Sequence, residues 1–321
     1  MLVLGLQGSP RRKGNTSTLL STFLDEAQSL GADTDVIDVP RRRITPCQEC
    51  GNCEEKGFCP IDDEMQEVYP LLREADIIVM GTPVFFYGPT AQLKCLIDRS
   101  QALWSRRYVF KLEDPGRRWR RGILLSVGAT KGKDLFVGIN LTAKYFFDAV
   151  GAKFDGGLTY IKIEGPDDIK VHPTALEDAR QKARLLVPSL LKRKKILFVC
   201  TENACRSQMA AAFAQYYGGD KIEAKSAGSA PAKELNPVME EVMRERGIDM
   251  AWRRPKSLIE AEKSMTPELI VTMGCQDACP MFPGAENLAW DLPDPVGKPI
   301  EFMRRLRDDI ERRVSDLVAA V

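Results

Sequence analysis

Residues 196–210 read ILFVCTENACRSQMA. Four apolar residues, Ile196 to Val199, run into Cys200 as a buried strand runs into its end. A short polar and small segment follows. Arg206 and Ser207 then open a helical pattern, SQMAAAFAQYYGG, that closes on glycine. Five residues between Cys200 and Arg206 let the backbone curl so that its N–H groups converge on a tetrahedral oxyanion, with the helix dipole behind them. The same field favours a thiolate at Cys200, and Arg206 offers a planar fork to two anion oxygens. Thr201, Asn203, Ala204 and Ser207 fall within this oxyanion loop, and so does a second thiol, Cys205. An inert cysteine at a strand end is the simpler alternative, and the strand–loop–helix context argues against it.

Outward from this stretch the same alternation repeats. Downstream, IEAKSAGS, ELIVTMG and ENLAWDL read as strands, while NPVMEEVMRERG and the terminal EFMRRLRDDIERRVSDLVAAV read as helices. Upstream, LVLGLQG, TDVIDV, DIIVMGTPVFF, GILLSVGA and GLTYIKI are Val-, Ile- and Leu-rich runs ending near Gly or Pro. Between them lie helical patterns: TSTLLSTFLDEAQSLG, DDEMQEVYPLLREA, TAQLKCLIDRSQALW and LTAKYFFDAVG. A last one, ALEDARQKARLLVPSLL, is expected to break at Pro188. The expected fold class is α/β, two doubly wound parallel-sheet domains, with residues 1–193 and 194–321 as the units and a boundary near Lys194. The length of 321 residues agrees with two domains.

Composition narrows the function. The 46 Lys+Arg nearly cancel 45 Asp+Glu, which argues against nucleic acid or a membrane surface as partner. A hydrophobic content of 44% with 28% charged residues supports packed cores. No run approaches the ~20 apolar residues of a membrane span. The opening MLVLGLQGSP reads as strand and turn without the basic region of a secretory signal, so a cytoplasmic location is expected. Nine Cys stand beside a single His. In a reducing compartment clustered cysteines point to metal or redox chemistry, and one His excludes mechanisms that need a histidine cluster.

In the first half three loops follow strand ends. GSPRRKGNTS places Ser9, Arg11, Asn15, Thr16 and Ser17 at a strand-to-helix turn, where backbone N–H groups and hydroxyls suit a phosphate, although a plain surface loop reads as well. Pro83, Val84, Phe85, Phe86, Tyr87 and Gly88 offer an aromatic loop to a flat ligand, and SVGATKGKD adds a third loop at Gly128. Together these loops resemble the flavodoxin-like NAD(P)H-dependent FMN reductases. The resemblance implies that SPR…GNT holds the FMN phosphate and TPVFFYG wraps the ring.

Cys47, Cys50, Cys53 and Cys59 form a compact set suited to a metal or to one [4Fe–4S] cluster. This loop resembles that of the iron–sulfur flavoproteins; cysteines with no metal are the alternative. Cys95 sits at a helical apolar position and reads as core. The runs Arg41–Arg43 and Arg117–Arg121, broken by Trp119, read as solvated loop faces, with a nucleotide phosphate grip as the minority reading. The flavin resemblance also implies a homodimer or tetramer formed through that half, with NAD(P)H or a ferredoxin-type protein as donor.

In the second half VCTENACRSQMA, SAGSAP, NP and LPDPVGKP resemble the low-molecular-weight phosphotyrosine phosphatase family and, within it, the arsenate reductases. The single His172 lies in the other half, and the resemblance makes Asp294 the general acid. Phosphatases carry aromatic residues after the Asp-Pro pair, where this chain has Val296, Gly297 and Lys298. Further thiols, Cys205, Cys275 and Cys279, stand where reductases keep resolving cysteines. The downstream spacing is closer than in thioredoxin-coupled relatives, so an external thiol is an alternative, and Glu202 replaces a small residue common in the loop.

The expected protein is therefore an arsenate reductase fused to an FMN and iron–sulfur electron-supplying domain. A phosphatase tethered to a flavoprotein and a flavin/thiol redox or arsenic sensor are the competing readings.

Overall fold

The computed structural model describes residues 1–274 and 282–321. They form two compact units, Met1–Lys111 with Gly116–Leu191, and Leu112–Pro115 with Lys192–Val321. Among the described residues no helix is long and apolar enough to cross a membrane.

The first unit is a five-stranded parallel sheet made of β1 (Leu2–Gln7), β2 (Asp33–Asp38), β3 (Ile77–Pro83), β4 (Arg121–Val127) and β5 (Lys153–Tyr160). Their spatial order is β2-β1-β3-β4-β5, that of flavodoxin-like sheets. β1, β3 and β4 are buried on both faces, which is why they read as continuous apolar runs. Helices Asn15–Ser29 and Ala175–Leu191 cover one face, sending Leu19, Phe23, Ala179, Ala183 and Val187 against Val3, Val79 and Ile123.

The second unit is a four-stranded parallel sheet made of β6 (Lys194–Cys200), β7 (Ile222–Gly228), β8 (Leu269–Thr272) and β9 (Glu286–Ala289), in the order β7-β6-β8-β9. Helix Arg206–Gly218 carries an almost wholly buried face of Met209, Ala210, Phe213 and Ala214 into a core shared with Met303, Ile310 and Val314 of helix Ile300–Ala319.

Three local expectations are corrected. Helix Ala175–Leu191 runs straight through Pro188. The lost hydrogen bond falls in its last turn, opposite an exposed Arg184, while Val187 and Leu190 on the same turn stay buried in the core. The pattern at residues 90–104 forms two helices, Ala91–Arg99 and Gln101–Tyr108, that meet at Ser100.

The third correction is that Arg120 is not solvated but 1% exposed. Its guanidinium donates to the carbonyls of Arg73, Ala75, Val150 and Gly151, the C-terminal ends of helices Met65–Glu74 and Val137–Ala149. A single cation thus satisfies orphan carbonyls of two helices and meets the negative ends of both dipoles. Arg117 likewise pairs with Asp148 at 2.7 Å. Arg120→Met leaves those acceptors buried without a donor, and a loss of roughly 3 kcal/mol from the first unit is expected. Urea unfolding followed by circular dichroism measures it; a shift worth less than about 1 kcal/mol would show that the carbonyls find other donors.

Candidate functional site

In an open parallel sheet the crevice lies beyond the carboxyl ends of strands whose neighbours connect on opposite sides. In the second unit that strand is β6, flanked by β7 and β8, and its last residue is Cys200. Residues 201–205 leave the strand and Arg206 begins the helix.

The carbonyls of the loop are turned outward. Cys200 O, Thr201 O, Glu202 O and Ala204 O accept from the N–H groups of Ser229, Ala230, Ala232 and Asn236 at 3.3, 2.8, 2.9 and 3.0 Å. The SAGSAP and NP segments therefore face the loop carbonyls, and the peptide geometry aims the opposite N–H groups into its hollow. Asn203 makes the turn in the left-handed region at φ 51°, which Asn tolerates better than most residues. Its buried side chain donates to Ser207 Oγ at 2.8 Å and accepts from Lys256 N at 2.8 Å and Gln208 Nε2 at 3.0 Å.

Cys200 is 2% exposed, with Ser207 Oγ 3.0 Å from its sulfur and placed to donate to a thiolate. The Arg206 guanidinium donates to Leu292 O at 3.3 Å and reaches Asp294 Oδ1 at 3.5 Å. Asp294 itself is 65% exposed. Gly274, at φ +72°, is needed there because a Cβ would stand 2.8 Å from Arg206 Nη1. Cys200 and Arg206, paired by spacing, are thus brought together with Ser207 and Asp294, which the family resemblance added.

Cys205 is different. It is buried with its sulfur 3.4 Å from Met303 Sδ, and burial first, then the neighbouring Cys200, pushes its thiol well above the usual range. Cys275 and Cys279 lie outside the described residues. The sequence reading passed over Gln208 and Lys256, whose roles have no motif, and over helix Leu258–Ser264, whose Ser257-to-Glu260 capping box was legible.

In the first unit the three loops assemble at the carboxyl edge beside β1 and β3. Gly8 N donates to Gly81 O at 2.7 Å, and Thr90 Oγ1 donates to Gly8 O at 2.6 Å. Phe85 and Gly88 exchange backbone hydrogen bonds, with Phe86 and Tyr87 both left-handed at φ 48° and 63°. Left-handed backbone at two aromatic residues is of order 1–3 kcal/mol of strain each and is retained chiefly where function requires it. Tyr87 lies against the third loop and the helix after it, since a Cβ at Gly132 would stand 2.9 Å from its hydroxyl and one at Gly138 2.6 Å from its carbonyl.

Several side chains expected to meet a phosphate have other partners. Asn15 bridges to Gly165 O and Ile169 N, Ser17 exchanges hydrogen bonds with Gly14, Ser9 accepts from Arg11 N, and Thr16 is buried. Gly128 continues the sheet through Tyr160 and Ile163. What suits an anion is the N-terminus of helix Asn15–Ser29 itself. A further residue escaped the sequence reading: Gln7, 6% exposed at the end of β1, has neither amide atom hydrogen-bonded. An orphaned buried amide beside a helix N-terminus and an aromatic turn fits a flavin phosphate and ring.

The four cysteines lie between β2 and helix Met65–Glu74. Cys47 and Cys50 are exposed, Cys53 and Cys59 half-buried, and all four are free thiols. Left-handed Glu49, Gly51 and Gly57 fold the segment around helix Asn52–Lys56. Burial pushes the Cys53 thiol up, and the nearby Cys47 and Cys59 add to the rise. Among the described residues no three His, Cys, Asp or Glu side chains converge closely enough to hold a metal ion. The donor chemistry, four soft sulfurs on one segment, nevertheless fits an iron–sulfur group. Cys95, a half-buried free thiol, stands apart in helix Ala91–Arg99.

Fold and site thus define a two-unit α/β protein with a thiol in an anion-binding loop and a flavodoxin-like half. The NADPH-dependent FMN reductase model matches residues 1–141, and the low molecular weight phosphotyrosine protein phosphatase model matches residues 195–321. An iron-sulfur flavoprotein of Methanocaldococcus jannaschii is 39% identical over 131 residues, covering 41% of this chain and 64% of that protein. One from Archaeoglobus fulgidus is 36% identical over 138 residues, covering 42% and 67%. Arsenate reductase 2 of Staphylococcus haemolyticus is 36% identical over 128 residues, covering 39% of this chain and 95% of that one. The chain spans just under two thirds of the Methanocaldococcus protein and of a Methanosarcina thermophila iron-sulfur flavoprotein, at 64% and 65%. Residues 1–141 thus carry an NADPH-dependent FMN reductase domain and residues 195–321 a low molecular weight phosphotyrosine protein phosphatase domain.

Gly228, paired with Cys200 across the sheet, has no room for a side chain: a Cβ would stand 2.7 Å from Thr201 O and 2.9 Å from Asn203 N. Gly228→Ala must push the loop backbone, and a misplacement of that size lowers turnover on the order of 100-fold without touching a reacting group. Steady-state kinetics beside an unchanged melting curve tests this; full turnover in the variant would mean that the loop tolerates the shift.

Proposed function

We propose that the chain is a cytoplasmic arsenate reductase, with residues 194–321 as the reductase domain and residues 1–193 as an FMN-binding, cluster-bearing electron-supplying domain. The observation that carries the reading is the convergence of Cys200, Ser207, Arg206 and Asp294 around one loop in which the carbonyls of Cys200, Thr201, Glu202 and Ala204 are hydrogen-bonded to the flanking 229–236 segment. Arsenate is a tetrahedral oxyanion of the size such a loop holds.

The Cys200 thiolate attacks arsenic, the S–As bond forms, and an As–O bond breaks as Asp294 protonates the departing hydroxide. The loop N–H groups and Arg206 stabilise the charge on the remaining oxygens. A second thiolate then attacks the Cys200 sulfur. The S–As pair of electrons passes to arsenic, arsenite leaves as As(III), and the two sulfurs remain as a disulfide. Cys205 is poorly suited to that attack because burial keeps it protonated, which favours Cys275 or Cys279 as the resolving thiol.

Ser9, Arg11, Asn15, Thr16, Ser17, residues 83–88 and Gly128 frame the flavin site, with Gln7 added, and Cys47, Cys50, Cys53 and Cys59 would hold a [4Fe–4S] cluster. The chemistry these groups supply when bound is electron transfer from a nicotinamide nucleotide or a ferredoxin-type donor toward oxidised thiols. The protein's own part is to bind, orient and shield them, and assembly as a homodimer or tetramer through the first half belongs to the same reading.

Cys200→Ser is expected to abolish arsenate-dependent arsenite formation, and Cys205→Ser to retain most of it, while Cys275→Ser or Cys279→Ser stalls turnover after the first adduct. Arsenite release measured with a chemical thiol or a flavin donor checks each variant. Hydrolysis of an aryl phosphate at rates comparable with arsenate reduction would instead identify a phosphatase.

A further inference from the structure

The four-cysteine segment has a closed neck. Thr45, two residues before Cys47, donates its N–H to Asp63 Oδ2 at 2.8 Å. Arg99, fully buried in helix Ala91–Arg99, lies between the two limbs. Its Nη1 donates to Thr45 O at 2.9 Å and Asp63 Oδ2 at 2.8 Å, and its Nη2 donates to Ile61 O at 3.2 Å and Asp63 Oδ1 at 3.1 Å. One planar fork thus holds Thr45, two residues ahead of the first cysteine, Ile61, two residues beyond the last, and a carboxylate in bidentate fashion. Tyr69, itself buried, donates to the carbonyl of Arg99 at 2.8 Å and fixes the helix end that carries it. Inside the neck, Gln66 holds Cys59 O at 3.1 Å and Ile61 O at 2.7 Å, and Asn52 holds Phe58 O at 2.8 Å.

A buried ion pair is a poor source of net stability, because removing both charges from water offsets most of their attraction. This one directs five hydrogen bonds to the ends of a single loop, one more from Met65 N at the start of the next helix to Asp63 Oδ1, and none to the sheet. We propose that the Arg99–Asp63 pair is the positioning device of the four-cysteine site: it closes the loop in advance, so that metal binding does not bear the conformational entropy of bringing its ends together. Arg99 touches no thiol donor in this role; it acts through the backbone at Thr45 and Ile61. The inference rests on Cys47, Cys50, Cys53 and Cys59 being metal ligands, as set out under the proposed function.

The test uses the full chain, freed of metal and reduced under anaerobic conditions, titrated with cobalt(II) and followed by thiolate-to-cobalt charge-transfer absorption. The parent is compared with Arg99→Met/Asp63→Leu, which removes the clamp without leaving an unpaired buried charge, and with Asp63→Asn, which keeps its shape. Titrations are run where far-UV circular dichroism of each variant matches the parent. The expected result is cobalt affinity reduced about 10- to 100-fold in the double variant and by a smaller factor in Asp63→Asn, with the parent's absorption pattern recovered at saturation. Equal affinity in all three overturns the clamp while leaving the ligand assignment standing. A parent chain that shows no thiolate-to-cobalt absorption overturns the ligand assignment and the clamp with it.

Discussion

A parallel strand whose two neighbours are reached by connections on opposite sides ends in an open crevice, and both sites depend on that single topological constraint. β1 ends in Gln7 between β2 and β3, and β6 ends in Cys200 between β7 and β8. In each case a helix starts a few residues later, so its unpaired N–H groups face the crevice. The two halves of the chain solve the same geometric problem with different chemistry. One puts a thiol at the strand end and keeps the return loop to five residues. The other puts a buried amide there and lets a longer loop and an aromatic turn leave room for a larger, flatter molecule.

The anion loop shows how much of such a site is built by residues that never meet substrate. Orienting its N–H groups requires that its carbonyls have acceptor work elsewhere, and the 229–236 segment supplies the donors. Orienting Ser207 requires Asn203, and Asn203 is held by Lys256 and Gln208. A network in which every buried polar atom has its partner is rigid, and rigidity at the half-ångström level is what electrostatic catalysis needs.

The parts legible in sequence were those fixed by local spacing or by period. Cys200 and Arg206 are tied by a loop length, Asp294 by its Pro-flanked motif, and the strands by unbroken apolar runs that only a doubly covered sheet produces. What escaped was set by tertiary position. Gln7 looks like any polar residue ending a strand until its burial is seen. Arg120 sits in sequence near the exposed Arg118, and Arg99 beside Asp98 and Ser100, and nothing local marks either guanidinium as buried. Pro188 argues for a break by its chemistry alone, but the lost bond lies at a solvent-facing turn while the buried stripe holds the helix together. Gly228 falls at the end of the strand read in IEAKSAGS, and the need for glycine there is a matter of space that only the neighbouring loop reveals.

The two thiols of the anion loop sharpen the same lesson for chemistry. Cys200 and Cys205 lie in one five-residue curl, and spacing alone makes them equivalent candidates for redox work. Reduction of an oxyanion requires a second sulfur, yet a second reactive sulfur inside the loop would compete with the substrate for the first. Cys205 is turned into the core against Met303, and the loss of hydration there holds it in the neutral form. Cys200 faces a hydroxyl and a converging set of N–H groups instead. Burial against Met303 thus turns one of two neighbouring thiols into packing, and leaves Cys200 as the thiol that meets the hydroxyl of Ser207.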